Sequence, residues 1–273
     1  MRQPNRRQRA LLLLLLTLAV LLAVTMAGAL LTQRAMETDF SRMNRSPSLS
    51  FLFGTDWMGR DMLARTLAGL SLSIRIGVLT ALVSAVIALL CGVAAALSRR
   101  ADAVLSWCID LFLGIPHILL VMLISLAFGR GFLGVVAGVS LSHWPSLARV
   151  IRGEVLSLRH APYLLAAEKL GVPRRQIVRR HLLPHLLPQF LTGLILQFPH
   201  AILHEASVTF LGFGLSSEQP AIGVILSESM QYLTTGRWWL ALFPGLALVG
   251  VVLLFAALGE QVRRVLDPSS VHQ

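Results

Sequence analysis

Two uncharged apolar runs, Ala10 to Leu31 and Ile76 to Leu97, each 22 residues long, constrain this chain more than any other feature. About 20 consecutive apolar residues carry a helix across the hydrocarbon core of a bilayer. Four further runs follow the same rule. Val104 to Phe128 holds Asp110, Pro116 and His117; Phe132 to Leu147 extends to Ile151 if Arg149 lifts its charge to an interface. Leu186 to Leu215 carries His200, His204 and Glu205, and Trp238 to Leu258 is again uncharged. The expected fold is therefore all-α and polytopic, with about six transmembrane helices. A composition of 55% hydrophobic residues makes a charge of +11 a membrane property and not a nucleic-acid-binding one. The two cysteines, Cys91 and Cys108, lie in or beside apolar runs, so neither a disulfide framework nor a zinc knuckle is on offer. Arg6, Arg7 and Arg9 before the first run, and Ala27-Gly28-Ala29 near its end, imitate a signal peptide. The run is too long for one, and an uncleaved anchor is expected.

Lysine and arginine counts set the orientation. With the N terminus inside, sixteen basic residues fall in cytoplasmic parts and seven in external ones, Arg75 lying at the mouth of the second run. Both termini are expected in the cytoplasm. The chain divides into residues 1–31 (cytoplasmic N terminus and first helix), 32–75 (an external segment), 76–262 (the transmembrane core, with a cytoplasmic loop at 156–184) and 263–273 (a cytoplasmic tail).

Within that loop, PYLLAAEKLGVPRRQIVRRHLLP, residues 162–184, interrupts the apolar chain with basic residues, a glycine and prolines. Pro162 and Pro173 suit the first turns of helices, and Gly171 suits the left-handed residue that ends one, which predicts two short helices meeting at an elbow. The physics leaves two uses open: an amphipathic elbow resting on anionic lipid headgroups, or a knob that docks a cytoplasmic partner.

The same loop, with Ala166-Ala167, Gly171 four residues on, Ile177 and Leu183-Pro184, resembles the EAA loop of ABC-importer permeases; Leu165 stands at the usual glutamate position and Glu168 is displaced from it. FGTDWMGRDMLARTLAGLSLSIRIG, residues 53–77, resembles the G-T-D-x-x-G-R-D signature of the second permease subunit of dipeptide, oligopeptide and nickel importers. IDLFLGIPHILL, HWPSLARVIRGEVLSLR, EASVTFLGFG and FPGLALVGVVLLFAALGEQVRRVLDP are similar to its remaining blocks. The resemblance implies a type I ABC-importer permease fold in a bacterial inner membrane. It implies a homologous second permease subunit completing a heterodimer, two cytoplasmic ATP-binding subunits and an external or periplasmic substrate-binding protein, all within membrane lipid and without nucleic acid. Leu164, Leu165, Ala166, Ala167, Glu168, Gly171, Arg174, Arg175 and Pro184 would then couple the chain to its ATPases, Pro184 stiffening the exit into the fifth span.

Independently, the chain cannot hydrolyse ATP through a P-loop. That motif needs G-x-x-x-x-G-K-[ST], and the single lysine, Lys169, follows Glu168. No cofactor is expected in this chain, ATP and Mg²⁺ being bound by partner subunits. In the external block, Asp56, Arg60, Asp61 and Arg65 are expected to form ion pairs worth about 0 to 1 kcal/mol each that fix a surface cap; a docking surface for a binding protein is the alternative.

Ionisable residues inside spans are candidates for the translocation pathway, here His200, His204, Glu205 and Asp110. For Asp110, near an interface beside Arg99, Arg100 and Asp102, a boundary position or a salt bridge is the plainer use. His200 and His204 stand at i and i+4, with Cβ atoms about 5 to 6 Å apart on one helix face. Two imidazoles so placed can share a nickel, copper or zinc ion, and hydrogen bonding to neighbouring helices is the plainer use. The H-x-x-x-H pair before EAS, and SLSHW at 140–144, resemble the nickel permeases of the family more than its peptide permeases. A zincin protease needs H-E-x-x-H, whereas Glu205 follows both histidines. The expectation is a permease for nickel or a related transition metal, free or chelated, with Ni(II) held transiently. Di- or oligopeptides are the alternative cargo; a channel or secondary transporter would leave the elbow unexplained.

Overall fold

The computed structural model describes residues 6–158 and 161–266. The extreme N terminus and the tail from 267 lie outside the described residues, as do the side chains of Glu168 and Arg174. Among the described residues the chain forms α-helices and short 3₁₀ and π turns, without a β-strand. The helices are α1 (Arg6–Leu30), α2 (Thr32–Met36), α3 (Met62–Leu97), α4 (Arg99–Gly114), α5 (His117–Ala127), α6 (Phe132–Leu158), α7 (Pro162–Lys169), α8 (Arg174–Ile177), α9 (Leu183–Phe210), α10 (Ile222–Leu233) and α11 (Trp239–Leu266). The six apolar runs correspond to α1, α3, the α4–α5 pair, α6, α9 and α11. Four helical stretches are long and apolar enough to cross a membrane, Gln8–Leu30, Met62–Ala95, Arg175–Phe210 and Trp239–Leu266, and the α4–α5 pair makes a fifth candidate. α6 has the length, but Ser140, Ser142, His143 and Arg149 dilute its apolar character.

α3 is the mast of the bundle, packing against α1, α6 and α9. Its 36 residues reach about 54 Å at 1.5 Å per residue, and it begins well before Ile76, inside the segment expected to be an external loop. Asp61 explains the early start: its carboxylate accepts the amides of Leu63 at 3.0 Å and Ala64 at 3.4 Å, satisfying donors that the first turn leaves without partners. Arg75, which marked the boundary in sequence, returns its Nε to the Ser71 carbonyl at 3.1 Å and so rides within the helix.

Close approach of α1 depends on Gly28, where a Cβ would sit 2.0 Å from the Leu67 carbonyl oxygen. The Ser71 hydroxyl then donates to the Thr25 carbonyl at 2.8 Å, an interhelical bond of the kind small residues permit in lipid. The third run is broken instead of straight: α4 and α5 bend by 102°. Pro116 disfavours helical geometry at the residue before it, and Ile115 accordingly takes an extended conformation, φ −86° and ψ 136°.

The two ends of the bundle differ. At one, the α1–α3 connection folds back over the bundle, with the Phe53 and Phe243 rings stacked at 4.6 Å. At the other, α7 and α8 close over α3, α6 and α9.

Candidate functional site

The elbow forms as the turn residues dictate. α7 opens on Pro162 and ends at Lys169, two residues before Gly171, whose φ is +80°. The Val172 amide donates to the Ala167 carbonyl at 3.1 Å and the Leu170 amide to the Ala166 carbonyl at 3.0 Å, closing the helix end. The Pro173 carbonyl accepts the Gln176 amide at 2.8 Å and starts α8. Leu164, Ile177 and Leu182 are buried in one apolar cluster with Val155 and Leu158 of α6 and Leu186 of α9. Tyr163, Leu165, Ala166, Gly171 and Arg175 face outward, and Leu170 is 82% exposed. Pro173, Arg175, Gln176, Arg179 and Arg180 line a shallow basic concavity beside them. The elbow is thus keyed into the bundle on one side and open to a partner on the other. Beyond it the chain does not pause: a π turn over Val178–Leu182 leads straight into α9. The wide turn lies beside Pro184, whose ring would crowd an ordinary preceding turn. The chain therefore leaves the elbow as one continuous helical stretch running from Arg175 to Phe210.

At the opposite end the block at residues 53–77 holds more than surface pairs. Asp56 accepts from Arg60 Nε at 2.6 Å, from Arg65 Nη1 at 2.7 Å, and from the backbone amides of Met58 and Arg60 at 2.9 Å each. Glu228 of α10 reaches both guanidinium groups, at 3.3 Å and 3.1 Å. The Asp56, Arg60 and Arg65 side chains are only 4%, 5% and 2% exposed. The expectation of weak surface pairs is corrected on two counts: the network is buried, and it enlists α10. Asp61 stands apart, capping α3 and pairing with Arg34 at 2.8 Å. On the exposed approach, the Ser41 hydroxyl and amide donate to Asp39 and hold its carboxyl below the usual carboxylate range.

The pathway residues separate. Asp110 is exposed on α4 and its carboxylate is taken up by Arg149 at 2.6 Å, an ion pair to α6 and not to the neighbouring Arg99 or Arg100. Glu205 is wholly buried and accepts from the Thr209 hydroxyl at 3.1 Å, while that hydroxyl also receives the Leu215 amide at 3.3 Å. It braces the end of α9 and stands outside the histidine group.

His200 stands outside the three-histidine group that His204 joins. His200 is exposed, whereas His204 turns inward to two histidines that sequence spacing did not single out. His117 comes from the first residue of α5, beside the Pro116 break, and His143 from the middle of α6. Ring centroids lie 4.5 Å apart for His117 and His143, 4.4 Å for His117 and His204, and 5.0 Å for His143 and His204. One ligand atom from each lies within 4.8 Å of the other two, and among the described residues this is the His, Cys, Asp and Glu group placed to share an ion. The signal available in sequence was weak: three separate histidines, each in an apolar run.

Comparison with known proteins places these features. Residues 84–271 match the family described as binding-protein-dependent transport system inner membrane component. A Brucella suis biovar 1 protein provisionally named a peptide transport system permease protein is 35% identical over 98% of this chain and 90% of its own length. The dipeptide transport system permease protein DppC of Bacillus subtilis is 30% identical over 97% of this chain and 83% of its own. The oligopeptide transport system permease protein OppC of Haemophilus influenzae is 29% identical over 96% and 85%. Among solved structures, a chain of the inward-facing MetNI methionine ABC transporter superposes with a TM-score of 0.60 at 20% identity, covering 76% of this chain and 98% of that one.

Proposed function

The chain belongs to the family of binding-protein-dependent transport system inner membrane components, and from that premise we propose that it lines the path of an importer for short peptides. Membership makes it an ABC-importer permease, a multi-pass membrane protein and not an enzyme; ATP hydrolysis lies in partner subunits, and a substrate-binding protein delivers cargo. One observation carries the peptide reading: relatives named for peptide, dipeptide and oligopeptide transport match over nearly the whole chain. In this reading the outward face of the elbow, Tyr163, Leu165, Leu170 and the arginines from Arg175 to Arg180, seats on an ATP-binding subunit. The buried face transmits the displacement to α6 and α9, an interface-driven switch between discrete arrangements. A second, unlike permease subunit completes the path, and both termini lie on the ATPase side.

A transition metal, free or chelated, is the second reading for cargo, and the convergence of His117, His143 and His204 favours it. Uptake by the reconstituted complex separates the two. Labelled dipeptide entering with ATP, uncompeted by nickel, is the expected outcome; labelled nickel entering while dipeptide does not would replace the first reading by the second.

A further inference from the structure

We propose that His117, His143 and His204 form a three-nitrogen site for a borderline divalent transition ion, with the remaining coordination positions open to an exogenous ligand. This is a statement about binding, and it stands whichever cargo the importer carries. Three observations meet at the cluster. The first is convergence: three imidazoles from α5, α6 and α9 offer one atom each within 4.8 Å. Metal–nitrogen bonds of 2.0 to 2.1 Å set such atoms about 3 to 3.4 Å apart, so from a widest separation of 4.8 Å an ion would draw the ligand atoms together by up to about 1.4 to 1.8 Å.

The second is unspent bonding capacity. The Nε2 atoms of His117 and His143 are buried without a hydrogen-bond partner among the described residues, and buried polar atoms ordinarily have one. The third is a fixed tautomer. His143 Nδ1 lies 2.9 Å from the Val139 carbonyl, which can only accept, and 3.1 Å from the Ser142 hydroxyl, which itself donates to that carbonyl at 3.1 Å; with the hydroxyl proton so used, Nδ1 carries the proton and Nε2 presents its lone pair. A backbone carbonyl holding the far nitrogen is the usual support of a metal-ligating histidine.

The chemistry narrows the ion. Neutral imidazole suits nickel, copper, zinc and cobalt, whereas magnesium and calcium want oxygen. Three ligands leave positions vacant, as in metal sites that exchange water or substrate. His117 and His204 are half-buried while His143 is buried, which leaves a side for entry and release.

The test is Co(II) and Ni(II) titration of the purified complex in detergent, read by visible ligand-field absorption for cobalt and by equilibrium dialysis for nickel. Expected are one saturable ion for each copy of this chain and a loss of affinity of about tenfold or more in each of H117A, H143A and H204A. H185A, which removes an exposed imidazole paired with Glu154, should bind as the wild type does. If H143A fails to assemble, H117Q and H204Q, at half-buried positions, carry the comparison. Absence of saturable binding in the wild type, or equal binding in the variants, overturns the site. Dipeptide uptake measured on the same preparations reports the cargo reading separately, since a complex can fail either assay and pass the other.

Discussion

Asp56 is almost wholly buried, yet it meets two guanidinium groups and two backbone amides. Removing one partner of such a network strands the others in a place water cannot reach, which costs about 3 to 5 kcal/mol. Asp56→Ala should therefore lower the thermal stability of the detergent-solubilised protein far more than Asp61→Ala, which forfeits an N-cap worth about 1 kcal/mol. Equal losses would show that the network is incidental. The histidines pose a finer question at the same scale. H-x-x-x-H spacing made His200 and His204 legible as a pair because one helix carries both, but a shared face does not fix which way the rings turn. His117 and His143 come from other helices, and ligands gathered across helices leave no spacing in sequence. His200→Ala should thus keep nickel affinity within about twofold of wild type while His204→Ala loses about tenfold or more; a matching loss at His200, followed by dialysis, would restore the i, i+4 pair.

The elbow shows what an element's local chemistry can announce in advance. Prolines at 162 and 173 and the glycine between them specify starts and a stop from backbone preference alone, and the structure places each accordingly. Gly171 has open space where a Cβ would go, so any penalty there is purely a matter of its φ of +80°. Gly171→Ala should cost about 1 to 2 kcal/mol at the turn and Gly171→Val more. Transport should fall in that order while membrane insertion stays intact. Substrate-stimulated ATP turnover of the reconstituted complex checks this, and normal turnover in the valine variant would detach the elbow from coupling. The start of α3 and the break at Pro116 were less legible, for different reasons. Arg65 and Arg75 read as an end to the apolar run because their partners, Asp56 with Glu228 and the Ser71 carbonyl, emerge only on folding. A proline inside an apolar run signals a kink without giving its angle, and the 102° bend depends on where α5 finds α6 and α9 to pack against.

For the whole molecule the decisive asymmetry is between its ends: one is closed by a buried ionic cap, the other by an elbow that offers exposed leucines and arginines. A basic end faces the cytoplasm when a membrane protein inserts, and the sixteen-to-seven division of lysine and arginine predicts the elbow on that side. Such a division counts charges near span ends, so it is insensitive to the α4–α5 bend and to the early start of α3. Ser46 and Arg175 are exposed at the two ends and can report the orientation directly. With the half-buried Cys91 and Cys108 replaced by alanine, Ser46→Cys should react with a membrane-impermeant maleimide applied from outside to cells with a permeabilised outer envelope. Arg175→Cys should react only after the inner membrane is opened, and less so when the ATP-binding subunits are co-expressed, because they would cover the elbow. Outside labelling of Arg175→Cys would invert the topology and with it the coupling argument, since an elbow on the external face could not meet an ATPase at all.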